Sequence, residues 1–195
     1  MEARPATPVE PARRKWVLAS TMIGAGVVAA AGGYAVHAWL EAAGTASDAS
    51  AAPEGKANLA PLWTAQLTDL AGNPVKFASF RNHALVVNFW ASWCGPCIEE
   101  MPDFQKASQS AAGSRVKFIG IGIDYAKNMR PFAAKFGITY ILLEAGAQGL
   151  DIMKAAGNST GALPFTLILD RQGALLTRKL GKMSYAELTA VIGTL

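Results

Sequence analysis

The sequence predicts an α/β domain, a mixed central sheet with helices on both faces, preceded by one transmembrane helix. Three observations carry that expectation. Residues 16–40 contain no Asp, Glu, Lys or Arg over 25 positions. Two apolar runs, Ala84 to Ala91 and Arg115 to Asp124, flank a helical stretch, the pattern of a βαβ unit with buried strands. Two further strands around Arg171-Gln172-Gly173 are followed by a capped helix.

Composition narrows the class. Of 195 residues, 51% are hydrophobic and 16% charged, which excludes a wholly disordered chain. Two cysteines exclude a disulfide-dense scaffold. Two histidines, His37 and His83, are too few for most zinc or copper sites, and no metal site is expected. The formal charge of +4 falls wholly from Ala57 onward, where 13 Lys and Arg face 9 Asp and Glu. Those basic residues are scattered, not the stripe of a nucleic-acid interface.

Residues 1–15 read as a cytoplasmic tail. As a helix, residues 16–40 span about 37 Å, enough to cross a hydrocarbon core of about 30 Å. Trp16 and Trp39 stand at its ends, where amphipathic rings favour the membrane interface. Arg13, Arg14 and Lys15 precede the segment and Glu41, Asp48 and Glu54 follow it, so the remainder of the chain is sent across. A cleaved signal peptide is the competing reading, with Ala49-Ser50-Ala51 as a small-residue cleavage site. Either route places the folded part outside the cytoplasm, where disulfides persist. Residues 41–57, rich in Ala, Ser and Gly, form a flexible linker.

Residues 58–195 are the size of one domain. Leu62 to Leu67 alternates apolar and polar, and a turn at Ala71-Gly72-Asn73-Pro74 leads to Val75-Lys76-Phe77, so a hairpin is expected here. A buried strand follows at 84–91. A helix then runs from Gly95 to about Ser110, with a kink expected at Pro102. After the strand at 115–124 come a helix over 128–136, a strand over 139–143 and a helix over 149–156. Strands over 165–170 and 174–180 form the last hairpin. Ser184 caps the terminal helix, and Glu187 completes a capping box.

Cys94-Gly95-Pro96-Cys97 falls where a strand meets a helix start. Two cysteines three apart at a first helical turn can close a small disulfide. The unpaired N–H groups and positive dipole end there stabilise a thiolate. Pro96 lacks an N–H and is tolerated in that turn. One sulfur attacks a substrate disulfide and the second resolves the mixed disulfide. Cys94, which begins the helix and is expected to face solvent, takes the attacking role, and Cys97 resolves. A structural zinc site would need two more ligands, and this region offers only His83. Haem attachment would need a histidine where Ile98 stands. A purely structural disulfide remains the other reading of the spacing.

The segment Asn88-Phe89-Trp90-Ala91-Ser92-Trp93-Cys94-Gly95-Pro96-Cys97 resembles the active site of the thioredoxin superfamily. With Ile98-Glu99-Glu100-Met101-Pro102, the preceding hairpin and Gly161-Ala162-Leu163-Pro164-Phe165-Thr166, it is similar to the TlpA/ResA-like membrane-anchored thiol-disulfide oxidoreductases. The resemblance covers residues 60–195. It implies a thioredoxin-like fold with an N-terminal β-hairpin and a central αβ insert near 127–148. It also implies a cis Leu163–Pro164 bond beside the disulfide, with the Leu163 backbone free to pair with an extended substrate. Trp93, Gly95 and Pro96 would add contact surface, while Trp90 reads as core and Asp124 as a turn residue.

Thioredoxin carries a buried aspartate six residues before its first cysteine, where this chain has Asn88, and a lysine where it has Gly120. The ResA-like branch places a glutamate three residues after the second cysteine, and Glu100 stands there. Residues 94, 97, 100 and 101 share one helical face, from which Glu99 points away. Glu100 is thus expected to be buried and to exchange protons with Cys97; a solvated glutamate favouring the helix start is the plainer alternative.

The resemblance implies a periplasmic reductase of disulfides in envelope proteins, in cytochrome c or copper-site maturation, located at a bacterial inner membrane. It implies no cofactor beyond the Cys94–Cys97 disulfide, and a transmembrane electron donor of the DsbD/CcdA type. Two other classes are the alternatives to it. A peroxiredoxin wants a hydroxyl residue and a proline where Ala91 and Val87 stand, and a Sco-like copper-binding module wants a distal histidine, which no residue after His83 supplies.

Overall fold

The computed structural model describes residues 57–195. The expected tail, transmembrane helix and nearly all of the linker lie outside the described residues. Among the described residues no helix is long and apolar enough to cross a membrane. The helices are α1 (Ala60–Thr64), α2 (Gly95–Ser108), α3 (Ala126–Phe136), α4 (Ala147–Ala155) and α5 (Tyr185–Ile192). The strands are β1 (Gln66–Asp69), β2 (Pro74–Lys76), β3 (Ala84–Trp90), β4 (Val116–Gly122), β5 (Ile141–Glu144), β6 (Phe165–Leu169) and β7 (Leu175–Leu180).

Every residue of β3 is buried, which a strand can satisfy only inside a sheet covered on both faces. It sits between β4, its parallel neighbour, and β6, which runs antiparallel, in a seven-stranded sheet of order β2-β1-β5-β4-β3-β6-β7. Strand alternation then sorts the side chains. Leu85, Val87 and Phe89 pack with Leu62 and Trp63 of α1 and with Ile152 and Met153 of α4. Ala84 and Val86 face Phe104 of α2 and Leu188 and Ile192 of α5. Trp90 meets Met101 of α2 and Met129 and Phe132 of α3. Burying each such large apolar side chain contributes about 1.5–3 kcal/mol.

The αβ insert is α3 with β5, and β5 joins β4 to the N-terminal hairpin. The hairpin itself is displaced from its expected position. Residues 60–64 are helical, and the first strand begins only at Gln66. Asn58 Oδ1 accepts the Ala60 N–H at 3.0 Å, and Pro61 fits a first turn that needs no donor. Leu62 and Trp63, adjacent in sequence, are both buried, which a strand on one face cannot achieve. Phe77 opens a 3-10 turn, Phe77–Phe80, and meets Trp63 edge-on at 5.5 Å. The helix α2 runs through Pro102, and the Ser184–Glu187 capping box forms as read.

Gly120, in register with Asn88, leaves no room for a side chain. A Cβ there would lie 2.6 Å from Leu142 Cδ2 and 3.0 Å from Trp90 Nε1. Gly120→Ala should therefore lower stability by about 1–3 kcal/mol, the ordinary cost of overpacking. Urea unfolding measures it, and an unchanged midpoint would show that Leu142 and the indole yield freely.

Candidate active site

The strand β3 delivers the chain to the carboxyl end of the sheet, and α2 begins five residues later. Cys94 is the N-cap residue, in extended conformation, and its Sγ accepts the Cys97 N–H at 3.3 Å. The two sulfurs are bonded to each other, with Cα atoms 5.3 Å apart. Pro96 occupies the first turn, and both Gly95 and Pro96 are exposed. Cys94 is 7% exposed and Cys97 not at all, so one sulfur is reachable and the other lies behind it. Cys94 is thus largely covered, more than the expected solvent-facing position. Trp90, Ala91 and Met101 pack around the pair, with Leu163 at its margin.

The Leu163–Pro164 bond is cis. Gly181 N–H donates to the Pro164 carbonyl at 2.8 Å. Among the described residues, no hydrogen bond engages the Leu163 N–H or C=O.

Glu100 is 1% exposed, one helical turn beyond Cys97. Its Oε1 accepts from Asn88 Nδ2 at 2.7 Å and its Oε2 from the Met183 N–H at 2.9 Å. Asn88 Nδ2 also donates to Thr166 Oγ1 at 3.1 Å, so the carboxylate is tied to β3, β6 and the loop before α5. Burial drives the Glu100 pKa up to about 7, against the opposing hydrogen bonds from Met183 and Asn88 and the more distant Lys182 and Lys179. The solvated alternative does not apply to this side chain. Glu99 does face solvent, where Lys182 Nζ pairs with it at 2.6 Å. Neither Glu100 oxygen is bonded to Cys97, which in the disulfide carries no proton to exchange.

Asp124 is more than a turn residue. Its Oδ2 accepts from both the N–H (3.0 Å) and the hydroxyl of Ser92. Its Oδ1 accepts from the Tyr125 N–H at 2.7 Å and from Asn128 Nδ2 at 2.8 Å. Burial alone would raise its pKa, but these four donors outweigh it and hold the carboxyl below the usual aspartate range. The loop that presents Cys94 is thereby fastened to the end of β4 and the start of α3. The sequence held one signal for this, an aspartate closing a buried strand four residues before an asparagine.

Trp93 is 68% exposed, immediately before Cys94, whereas Trp90 is wholly buried. The structure thus brings Trp93, Cys94, Gly95, Pro96 and Cys97 together, with Leu163 beside the sulfurs and Glu100 beneath them. Among the described residues, no group of three or more His, Cys, Asp or Glu is placed to hold a metal ion.

The profile of the Redoxin family matches residues 47–192. The chain is 28% identical over 124 residues to the thiol-disulfide oxidoreductase ResA of Geobacillus thermodenitrificans, covering 63% of this chain and 68% of that protein. It is 27% identical over 126 residues to the thioredoxin-like protein YneN of Bacillus subtilis, covering 63% and 71%. A solved thioredoxin-related protein from Neisseria meningitidis serogroup B superposes with a TM-score of 0.59 at 29% identity, covering 66% of this chain and 97% of that one.

The raised pKa of Glu100 makes stability depend on pH. The native state binds the proton more tightly than the unfolded chain, so ionisation costs stability as pH rises from 4.5 to about 7. Below that window the cost is absent, and above it the cost is complete, at about 3 kcal/mol from the size of the shift. Glu100→Gln should lack this slope. Paired denaturant curves across the window measure the difference, and parallel pH profiles for the two proteins would contradict it.

Proposed function

The chain belongs to the Redoxin family, and from that premise we propose that this thiol-disulfide oxidoreductase works as a reductase of protein disulfides, anchored by residues 16–40 in a bacterial inner membrane with its domain in the periplasm. The observation that carries the reading is the placement of the two sulfurs. Cys94 is the reachable one, capped by a backbone N–H at a helix start, and Cys97 stands directly behind it.

In the reduced enzyme the Cys97 N–H and the dipole of α2 favour the Cys94 thiolate. That thiolate attacks one sulfur of the client disulfide, forming a Cys94–client bond and expelling the other client sulfur as a thiolate. Cys97, once deprotonated, attacks Cys94 Sγ, restoring the Cys94–Cys97 bond and releasing the second client sulfur. Two electrons pass to the client, whose two thiolates take up two protons. Glu100, poised near neutrality one turn from Cys97, accepts the Cys97 proton. It forms no bond to the substrate, so its part is proton exchange alone.

The Gly-Pro pair between the cysteines matches thioredoxin, whose potential of about −270 mV favours reduction of clients. Trp93, Gly95 and Pro96 form the approach surface. Leu163 offers an unengaged N–H and C=O for strand-like pairing with an extended client segment beside Pro164. The disulfide form seen here must be reduced again by a dithiol donor. With the domain outside the cytoplasm, a transmembrane donor of the DsbD/CcdA type fits. Apocytochromes c and copper-site assembly proteins are the proposed clients.

Cys97→Ser should accumulate mixed disulfides through Cys94 in the native host, identified by mass spectrometry of trapped complexes. Cys94→Ser should trap none. An ectodomain that, supplied with reductant, neither reduces insulin nor forms adducts would overturn the reading. Glu100→Gln should slow the resolving step about 10²-fold, within the usual range for general acid–base groups. It should also remove the inflection near neutral pH from the rate profile. An unchanged profile would remove Glu100 from the mechanism while leaving the sulfur chemistry standing.

A further inference from the structure

Three large apolar side chains stand out as exposed among the described residues, namely Trp93, Tyr125 and Leu176. Leu176 lies on the edge strand β7, remote in the sheet order from β4. Trp93 and Tyr125 instead share one anchor. Ser92, which precedes Trp93, bonds one oxygen of the Asp124 carboxylate through its N–H and hydroxyl. Tyr125 bonds the other oxygen through its own N–H. One carboxylate therefore fixes the backbone at both rings, at the carboxyl ends of the parallel strands β3 and β4, where the chain runs on from β3 to Cys94.

Tyr125 is 64% exposed, and among the described residues it belongs to none of the hydrophobic clusters. The Lys127 ammonium lies over the ring at 5.7 Å and forms no salt bridge among the described residues. Asp124, the carboxylate next to Tyr125, is already saturated by four donors. Glu144 Oε2, which accepts the Ala126 N–H at 3.1 Å, is a second carboxylate already engaged at this turn, and the Tyr125 ring and Lys127 are both exposed beside it. Tyrosine and tryptophan supply large contact area at small entropic cost and dominate many binding surfaces.

We propose that Tyr125 and Trp93 are paired aromatic contacts for the client polypeptide, and that Lys127 gives this surface a preference for segments carrying an acidic side chain near the disulfide-bonded cysteine. The inference deepens the reductase reading and rests on it. Tyr125 is a specificity-determining residue, distinct from the sulfurs and from Glu100, and it acts on a part of the client that does not react.

The test uses the full chain with three substrates. Two are synthetic peptides closed by one internal disulfide, flanked by Glu in one and by Gln in the other, and the third is bis(2-hydroxyethyl) disulfide, which has no polypeptide to dock. Wild type should reduce the Glu peptide with the highest kcat/KM. Tyr125→Ala should lower kcat/KM for the peptides about tenfold more than for the small disulfide, the loss residing in KM, as expected for an aromatic binding contact. Tyr125→Phe should restore most of it. Lys127→Gln should erase the difference between the Glu and Gln peptides, and raising the salt concentration should reduce that difference in the wild type. Leu176→Ala, on the remote edge strand, should leave all three rates unchanged. Equal losses on peptide and small disulfide for Tyr125→Ala, or no loss on either, would overturn the docking role. An undiminished preference for the Glu peptide in Lys127→Gln would overturn the charge preference. Wild type that reduces the small disulfide but favours no peptide overturns this inference and spares the sulfur chemistry. Wild type that reduces none of the three overturns both.

Discussion

The buried carboxyl of Glu100 is the constraint around which the site is arranged. A carboxylate removed from water costs several kcal/mol unless donors replace the lost hydration. Here the donors come from two directions, Asn88 on the central strand and the Met183 N–H on the loop before α5. Each fixes something else as well. Asn88 also bonds Thr166 on β6, and the loop carrying Met183 reaches Pro164 through Gly181. The acid beneath the sulfurs and the loop beside them are therefore held by one connected set of bonds. The same set explains why position 88 is an asparagine. An aspartate within hydrogen-bonding distance of Glu100 would place two carboxylates against each other, and only one could ionise near neutral pH. On the proposed function the titrating group stands on the helix, at Glu100, and the strand position Asn88 is its donor.

Two carboxyls flank the cysteine loop, and their environments push them in opposite directions. Glu100 has two donors and little water, and burial prevails. Asp124 has four donors, and hydrogen bonding prevails over burial. A carboxyl poised near neutrality suits proton exchange, while one held ionised suits permanent fastening. The division matches their positions. On the proposed function Glu100 lies one turn from Cys97, the sulfur that loses a proton, and Asp124 grips Ser92, two residues before the attacking Cys94.

Much of this was legible in the sequence, for reasons that differ by element. The strands β3 and β4 are readable because burial on both faces demands unbroken apolar runs. The start of α5 is readable because Ser184 and Glu187 satisfy each other within four residues. The cysteine pair follows from its spacing at a helix start, whereas Glu100 and the cis Leu163–Pro164 bond came from resemblance, with helical spacing supporting Glu100 alone. What escaped reading depends on distant partners. The alternation from Leu62 to Leu67 resembles a strand, and only packing of Leu62 and Trp63 under the sheet makes residues 60–64 helical. Asp124 looks like an ordinary strand end, because its partner Ser92 is 32 residues away. The low exposure of Cys94 is hidden from the sequence for the same reason, since its cluster includes Met129, Phe132 and Leu142 from far along the chain.

That low exposure bears on which substrates the site admits. Cys94 is 7% exposed as a residue, with Trp93, Gly95 and Pro96 exposed around it, which on the proposed function favours a client disulfide that projects over one recessed within a folded partner. The client sulfur has to project from its chain or lie on a segment thin enough to cross the rim. An extended strand meets that condition. It also brings its own unpaired N–H and C=O groups, which need partners once water is excluded. On the proposed function Leu163, with both backbone groups unengaged among the described residues, supplies them. On the proposed function, accessibility and hydrogen-bond satisfaction favour the same client, a locally unfolded segment around its disulfide. On the proposed function this explains how a site of low sulfur exposure can act on proteins that have not yet received their haem or metal, and spare those that have finished folding.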